Sequence, residues 1–191
     1  MGFTRAELES FRDSTVPDLV GPGLRLLFIG INPSLWTAAT STHFAHPGNR
    51  FYPALLRAGV ISDPIDCTAG MTDFDRTSFI ERGIGITNVV HRATAKAAEL
   101  TPEEFRAGGR QLRRFVAEHR PRVVAVAGIT AFRAAFDDSK ARVGRQRDLF
   151  EGSLLWIVPN PSGLNAHETV ESLAVAYREP AIAAGIAVNP S

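Results

Sequence analysis

Two stiffened loops in this sequence carry side chains able to do chemistry. The first is Gly30-Ile31-Asn32-Pro33-Ser34, which continues through Trp36 and Thr37 to Thr42-His43-Phe44-Ala45-His46-Pro47-Gly48-Asn49-Arg50-Phe51-Tyr52. Gly30 permits a close backbone turn and Pro33 restricts it, so Asn32 is held with its amide projecting from the loop. An amide in that setting can hold a water molecule or read a polar ligand. The second loop, Pro159-Asn160-Pro161-Ser162-Gly163-Leu164-Asn165-Ala166-His167, is stiffened in the same way and offers another asparagine. Leu164 at its tip stands among polar neighbours, off any apolar period. Taken singly, each feature has a plainer explanation: Asn-Pro marks turns, Phe44 is a core residue type, and an isolated loop leucine is first expected as a buried anchor. One cysteine, Cys67, and five scattered histidines show neither HExxH nor paired CxxC spacing, so no metal is expected.

The elements that must position these loops are legible in the apolar pattern. Four short runs rich in β-branched residues, Leu24 to Ile29, Ile84 to Val90, Val123 to Ala127 and Leu154 to Val158, are bounded by Gly, Pro or Asn and read as strands. Helical patterns cover Arg50 to Ala58, Pro102 to His119 with Thr101 as N-cap, Thr130 to Phe136, and Glu168 to Arg178. The stretch Ser62 to Ser78 reads as a surface loop or short helix. Alternation of strand and helix predicts a three-layer α/β sandwich with a central parallel four-stranded sheet. Ligand sites of such sheets lie beyond the carboxyl ends of the strands, and both loops begin there.

Length and composition bound the rest. At 191 residues, 45% hydrophobic and 21% charged, the chain fits a single globular domain over 1–191, with 1–20 and 180–191 peripheral. The longest apolar runs fall far short of the ~20 residues that span a bilayer, and the first twelve residues lack the order of a signal peptide. A soluble, cytoplasmic protein is expected. The net charge of +1 is unevenly spread: residues 101–147 hold eleven Lys/Arg against five acids, +6, leaving −5 elsewhere. A phosphate-facing surface would use such a segment, but a long helix also needs a charged wet face, and the charge alone favours that.

Taken together, the loops resemble the mismatch-specific uracil/thymine DNA glycosylases, a branch of the uracil-DNA glycosylase superfamily. The resemblance rests on an ordered set: Gly30-Ile31-Asn32-Pro33; Phe44-Ala45-His46-Pro47 with Asn49-Arg50-Phe51; Gly85-Ile86-Thr87; Ala107-Gly108-Gly109-Arg110; and Asn160-Pro161-Ser162-Gly163-Leu164 followed by Ala176-Tyr177-Arg178-Glu179. It spans Pro22 to Glu179. It implies a monofunctional enzyme without cofactor that flips uracil opposite guanine out of duplex DNA, hydrolyses the N-glycosidic bond and leaves an abasic site.

By the same resemblance, Asn32 places the attacking water and Asn160 stands where relatives stabilise the leaving base. Phe44 stacks on the extruded base, the backbone at Ile31 and Phe44 meets its edge, and Thr37 bears on the pyrimidine C5 position, favouring uracil over thymine. Leu164 wedges into the duplex, flanked by Gly163 and Asn165, while Ser162 holds a phosphate. His46 and Arg50 are assigned to architecture. Three departures stand out: Ser34 for a glycine, Ala166-His167 where an arginine follows the loop serine, and Asn88-Val89-Val90-His91, with His91 and His167 as auxiliary candidates. The expected partner is double-stranded DNA carrying G:U or a related mismatch, met by a monomer. A low-turnover lesion-binding module is the main alternative. A small-nucleotide binder is the weaker one, since no GxGxxG or Walker loop follows the first strand.

Overall fold

The computed structural model describes residues 2–189. Five strands form one sheet: β1 Leu26–Gly30, β2 Ile84–Asn88, β3 Val123–Ala127, β4 Gly144–Arg145 and β5 Leu154–Val158, in the order β2-β1-β3-β5-β4. The four expected strands are all present and mutually parallel, each within two residues of its anticipated ends. The fifth corrects the four-stranded expectation. β4 is a two-residue antiparallel edge against β5, with Arg145 beside Trp156 in register and its guanidinium 5.5 Å from the Trp156 ring centre. Gly-Arg has no apolar alternation, so this strand exists only because the edge of β5 offers its hydrogen bonds.

The sheet is buried on both faces because its four parallel strands are apolar at nearly every position, Thr87 and Asn88 at the end of β2 excepted. Leu26, Phe28, Ile84, Ile86, Val123, Ala125, Trp156 and Val158 pack on one side with α3 Phe51–Arg57 and α7 Val170–Ala183. Leu27, Ile29, Val124, Val126, Leu155 and Ile157 pack on the other with α5 Pro102–His119 and α6 Ile129–Phe136. The helices start where their sequence directs. Thr101 caps α5 by accepting from the Glu104 amide while Glu104 reaches back, with Pro102 at the first turn. Within α5, a Cβ on Gly108 would collide with the Val89 carbonyl oxygen and one on Gly109 with that of Ala135, so the double glycine lets α5 seat against β2's exit and α6.

Three helices lay outside the apolar pattern or at its margin. α1 Arg5–Glu9 and α2 Leu35–Thr40 are too short to show a period, and their small cluster of Leu8, Phe11, Val16, Leu35, Ala38 and Ala93 draws on three segments. α4 Asp73–Glu81 emerges from the polar stretch through a Thr72–Asp75 capping box. At the other end α7 runs through Pro180 to Ala183, five residues beyond the expected Arg178, because Pro180 is buried in packing against the core. The N-terminal segment lies along the free edge of β2, where Leu19 and Ile86 exchange backbone hydrogen bonds of 2.8 and 2.9 Å.

Candidate active site

All four parallel strands end at the same side of the sheet, and their exits bring together Asn32 after β1, Asn88 at the end of β2, Gly128 after β3 and Asn160 after β5. The Asn32 side chain is held through its nitrogen. Nδ2 donates to the Arg92 carbonyl at 2.9 Å and to Thr94 Oγ1 at 2.8 Å, with the Pro33 carbonyl at 3.2 Å. A carbonyl oxygen can only accept, so the amide cannot be turned the other way. Thr94 in turn donates its hydroxyl proton to the Lys96 carbonyl at 2.9 Å, which leaves its lone pairs for Asn32. With Nδ2 engaged, Asn32 Oδ1 is the group offered to a ligand, as an acceptor.

The segment that grips Asn32 is itself tied down. Arg92 pairs with Glu104 at 2.6 Å and Asp13 at 2.7 Å, the Ala93 amide donates to Ser14, and the Thr94 amide donates to Pro33. The pairing with Arg92, together with the Thr101 backbone, holds the Glu104 carboxyl down to about 2. One residue, Glu104, thus caps α5 and braces the loop behind Asn32.

A cluster of polar and aromatic side chains adjoins. Phe44 adopts a left-handed backbone, φ 58°, unusual for a bulky residue, and this turns its ring onto Phe51 at 4.1 Å between centres and 25° between planes. One ring face is therefore covered by protein, so only the opposite face is left for a stacking partner. Gly30 lies under the ring edge: a Cβ there would sit 3.2 Å from Phe44 Cζ and 2.5 Å from Asn88 Oδ1. Asn88 is only 4% exposed and its Nδ2 lies 3.1 Å from His43 Nδ1, while His43 Nε2 lies 3.0 Å from the Pro17 carbonyl.

The second loop is organised from within and from Arg50. Asn160 Oδ1 accepts from the Ser162 amide at 2.9 Å, so its Nδ2 is the end presented outward. Asn165 Nδ2 donates to the Asn160 carbonyl at 3.1 Å, and Ser162 Oγ accepts from the Leu164 amide at 3.3 Å. Arg50 donates to the carbonyls of Ser162, at 3.0 Å, Asn165, at 2.9 Å, and Glu168, and its own amide donates to Pro161. Gly163 passes so close to Gly48 that a Cβ would lie 2.8 Å from its carbonyl oxygen. At the tip, Leu164 is 93% exposed.

A match to the family model of the uracil DNA glycosylase superfamily covers residues 17–180. The chain belongs to that superfamily. The solution NMR structure of a protein from Methanosarcina acetivorans, provisionally named a uracil DNA glycosylase, has a similar fold. The TM-score is 0.56 at 16% identity, covering 86% of this chain and 96% of that one. Membership supports a DNA glycosylase, a hydrolase of DNA repair.

Against that assignment the anticipated residues sort clearly. Ile31, Asn32 and Phe44 from the connection after β1 and Asn160 from the exit of β5 come to one end of the sheet, with Ile31 and Asn160 both facing Gly128, 3.5 and 3.9 Å from where its Cβ would be. The Ile31 carbonyl is already taken by the Val90 amide at 3.0 Å. Thr37 is buried in α2, its hydroxyl 3.1 Å from Ser34 Oγ, which also caps α2; this gives the serine at the glycine position a local reason. Leu164 is not the buried anchor expected of an isolated loop leucine, because Arg50 pulls the loop's backbone inward and leaves the tip outside. His91 turns to Asp18, with Nε2 3.3 Å from Oδ1. His167 is exposed, its amide donating to Asn165 Oδ1 at 3.3 Å.

Three residues of this site carry no role in the sequence reading: Thr94, His43 and Asn88. Thr94 lies in a polar stretch with no motif character, His43 stands in the first loop without a partner visible in the sequence, and Asn88 belongs there only to a stretch that departs from the family. Of the basic stretch 101–147, several members serve the fold: Arg113 pairs with Glu151 and stacks on Phe136 and Phe150, Arg106 pairs with Glu103, and Arg133 donates to the Ala141 carbonyl. Among the described residues no group of three or more His, Cys, Asp or Glu is gathered for a metal. No helix there is long and apolar enough to cross a membrane. One cleft lies away from the strand exits, between Pro53, Leu56, Arg57 and Asn189.

Proposed function

We propose that the protein is a monofunctional, mismatch-specific DNA glycosylase that hydrolyses the N-glycosidic bond of uracil opposite guanine and leaves an abasic site. The observation that carries this reading is the Asn32 amide, locked by Arg92 O and Thr94 Oγ1 so that only its oxygen faces outward. Oδ1 accepts a hydrogen bond from one water and turns that water's lone pair toward the anomeric carbon. An amide is no base, so bond breaking leads: the C1′–N1 electron pair leaves with the base, the sugar gains oxocarbenium character, the positioned water adds to C1′, and the proton it loses passes through solvent to the departed base anion. Asn160 Nδ2, freed by the bond from Ser162 N to Oδ1, donates to the departing base's oxygen.

Binding follows from the neighbouring groups. The base leaves the stack and lies on the uncovered face of Phe44, where stacking contributes about 1–3 kcal/mol. Asn88 meets the pyrimidine edge with a carbonyl oxygen and an amide proton, and Thr37 backs the C5 side. Leu164 enters the duplex in place of the base, with Gly163 and Asn165 against the orphaned guanine and Ser162 on a phosphate. A wobble pair is easier to open than a Watson–Crick pair, which favours G:U. The protein acts as a monomer on double-stranded DNA in the cytoplasm, with thymine and damaged pyrimidines as further substrates.

A second reading is favoured by one observation: the three groups that hydrogen-bond the Asn32 amide, the carbonyls of Pro33 and Arg92 and the Thr94 hydroxyl, are all neutral and none is a base that draws a proton from water. A lesion-binding module of low turnover would keep Leu164 and Phe44 and barely release base. Single-turnover release from duplexes with one G:U, A:U, G:T or G:C pair, and from single-stranded uracil, separates the two. Release from G:U that collapses in Asn32→Ala establishes the glycosylase. Intact G:U binding without release in any substrate establishes the binder.

A further inference from the structure

The buried pair His43 and Asn88 determines which hydrogen-bonding face the pocket shows, and the direction can be worked out atom by atom. His43 Nε2 stands 3.0 Å from the carbonyl oxygen of Pro17, which can only accept, so Nε2 carries a proton. The ring is 4% exposed. Burial pushes its pKa down against the Pro17 hydrogen bond and the Asp18 charge, and the charges of His91 and Arg76 act in the same direction as burial. The imidazole is therefore neutral, and Nδ1 is a lone pair. Asn88 lies 3.1 Å from that lone pair and must meet it with an N–H. Turning the amide over would set two acceptors against each other in a site where both side chains are only 4% exposed. Asn88 Oδ1 consequently points over Gly30 and beside the edge of Phe44, where only a residue without a Cβ leaves room.

We propose that His43 is a positioning residue for base specificity: through its Nε2–H tautomer it fixes the Asn88 amide so that the pocket accepts a 4-oxo, N3–H pyrimidine and rejects a 4-amino one. The inference rests on the glycosylase reading above. Asn88 then presents an acceptor, Oδ1, and its remaining N–H as a donor. Uracil offers N3–H and O4, the complementary pair. Cytosine offers an N3 lone pair and a 4-amino group, which match only the inverted amide. Pro17 supplies the decisive contact although it touches no substrate, because its carbonyl selects the tautomer. The segment carrying Pro17 is held to the edge of β2 by Leu19.

The test combines a selectivity ratio with a direct view of the tautomer. Free uracil and free cytosine are titrated against wild-type protein and His43→Asn at pH 8, where His43 is neutral in either state of the chain. Asparagine keeps a polar group near Asn88 but loses the reach to Pro17, so its own amide is free to turn. The expected result is a uracil-over-cytosine preference in wild type that falls by at least about tenfold in His43→Asn, chiefly through tighter cytosine binding. Loss of both bases in parallel would mean packing alone and overturn the proposal, as would an unchanged ratio. If His43→Asn does not fold, 15N spectra of the wild-type histidines decide: a protonated Nε2 and bare Nδ1 for His43 at pH 7 support the proposal, and the opposite tautomer or a charged ring overturns it. Wild-type protein that binds neither base and releases no uracil would remove the glycosylase reading itself. Uracil release with an unmoved ratio would remove only the role of His43.

Discussion

The amide nitrogen of Asn32 lies 2.8 Å from the hydroxyl of Thr94, sixty-two residues further along the chain. This contact joins the first loop to the exit of β2, and its absence would leave the Asn32 amide held only by the carbonyls of Arg92 and Pro33. Asn32→Ala is expected to lower single-turnover uracil release by about 10²–10³-fold, the scale of removing one oriented polar group from a reacting centre. Thr94→Val should lower it by about tenfold with duplex affinity unchanged, and Thr94→Ser should restore it, since the hydroxyl and not the methyl group makes the bond. Equal rates for Thr94→Val and wild type would show that Arg92 O alone orients the amide.

Leu164 separates stability from binding. At 93% exposure its side chain contributes almost nothing to the folded core. Leu164→Ala should leave the melting temperature within about 1–2 °C, in keeping with surface substitutions of ~0.5 kcal/mol or less. Affinity for a G:U duplex should fall by about tenfold in a filter or fluorescence titration, because the wedge that offsets unstacking is gone. A drop in melting temperature with unchanged affinity would return Leu164 to the anchor expected of an isolated loop leucine.

Arg50 behaves in the opposite way. Its guanidinium donates to three carbonyls of the second loop, those of Ser162, Asn165 and Glu168, in a forked geometry that an ammonium cannot copy. Arg50→Lys should therefore destabilise nearly as much as Arg50→Ala, by about 2 kcal/mol, or roughly 4–8 °C for a chain of this size. Limited proteolysis should cut near Leu164 sooner in both variants. Full stability in Arg50→Lys would mean that charge, not the fork, holds the loop.

Asp18 and His91 give a pH signature. Burial raises the Asp18 pKa, but hydrogen bonds from His91 and Thr87 and the His91 charge outweigh it, and the net shift is downward. The Asp18 hydrogen bond lifts the His91 pKa above its ordinary value despite partial burial. A raised histidine stabilises the fold fully below its unfolded pKa of about 6.5, and the contribution is lost as pH rises through the folded value. The lowered carboxyl works from the other side: its contribution is present above about 3.9 and is lost as pH falls through its folded value. The melting-temperature gap between wild type and His91→Gln should thus be wider at pH 5.5 than at pH 8.5. The pair is partly exposed, so the difference is about 2 °C or less. A gap that is flat with pH would mean that the 3.3 Å contact carries no charge.

Much of this molecule is readable one segment at a time. Val123–Ala127 and Leu154–Val158 are strands in either view, and Thr101-Pro102 starts α5 where its capping chemistry says, because these signals are local and periodic. Asn32, Phe44 and Asn160 are also visible from their loops. Thr94 and His43 are not, since a hydroxyl or imidazole in a polar stretch acquires meaning only from what it faces. Leu164 could be placed inside or outside by sequence alone; the Arg50 clamp across more than a hundred residues settles it.

What the chain determines by itself is therefore the four parallel strands, their shared exits and the residues capable of chemistry, all of which follow from short-range pattern and turn stereochemistry, whereas the edge strand β4 does not. What the tertiary structure decides is direction: which end of Asn32 and Asn88 faces a ligand, and that Leu164 stands outside. An amide has two nearly isosteric ends, and only partners of fixed hydrogen-bonding sense, the carbonyls of Arg92 and Pro17 brought in from distant segments, can tell them apart.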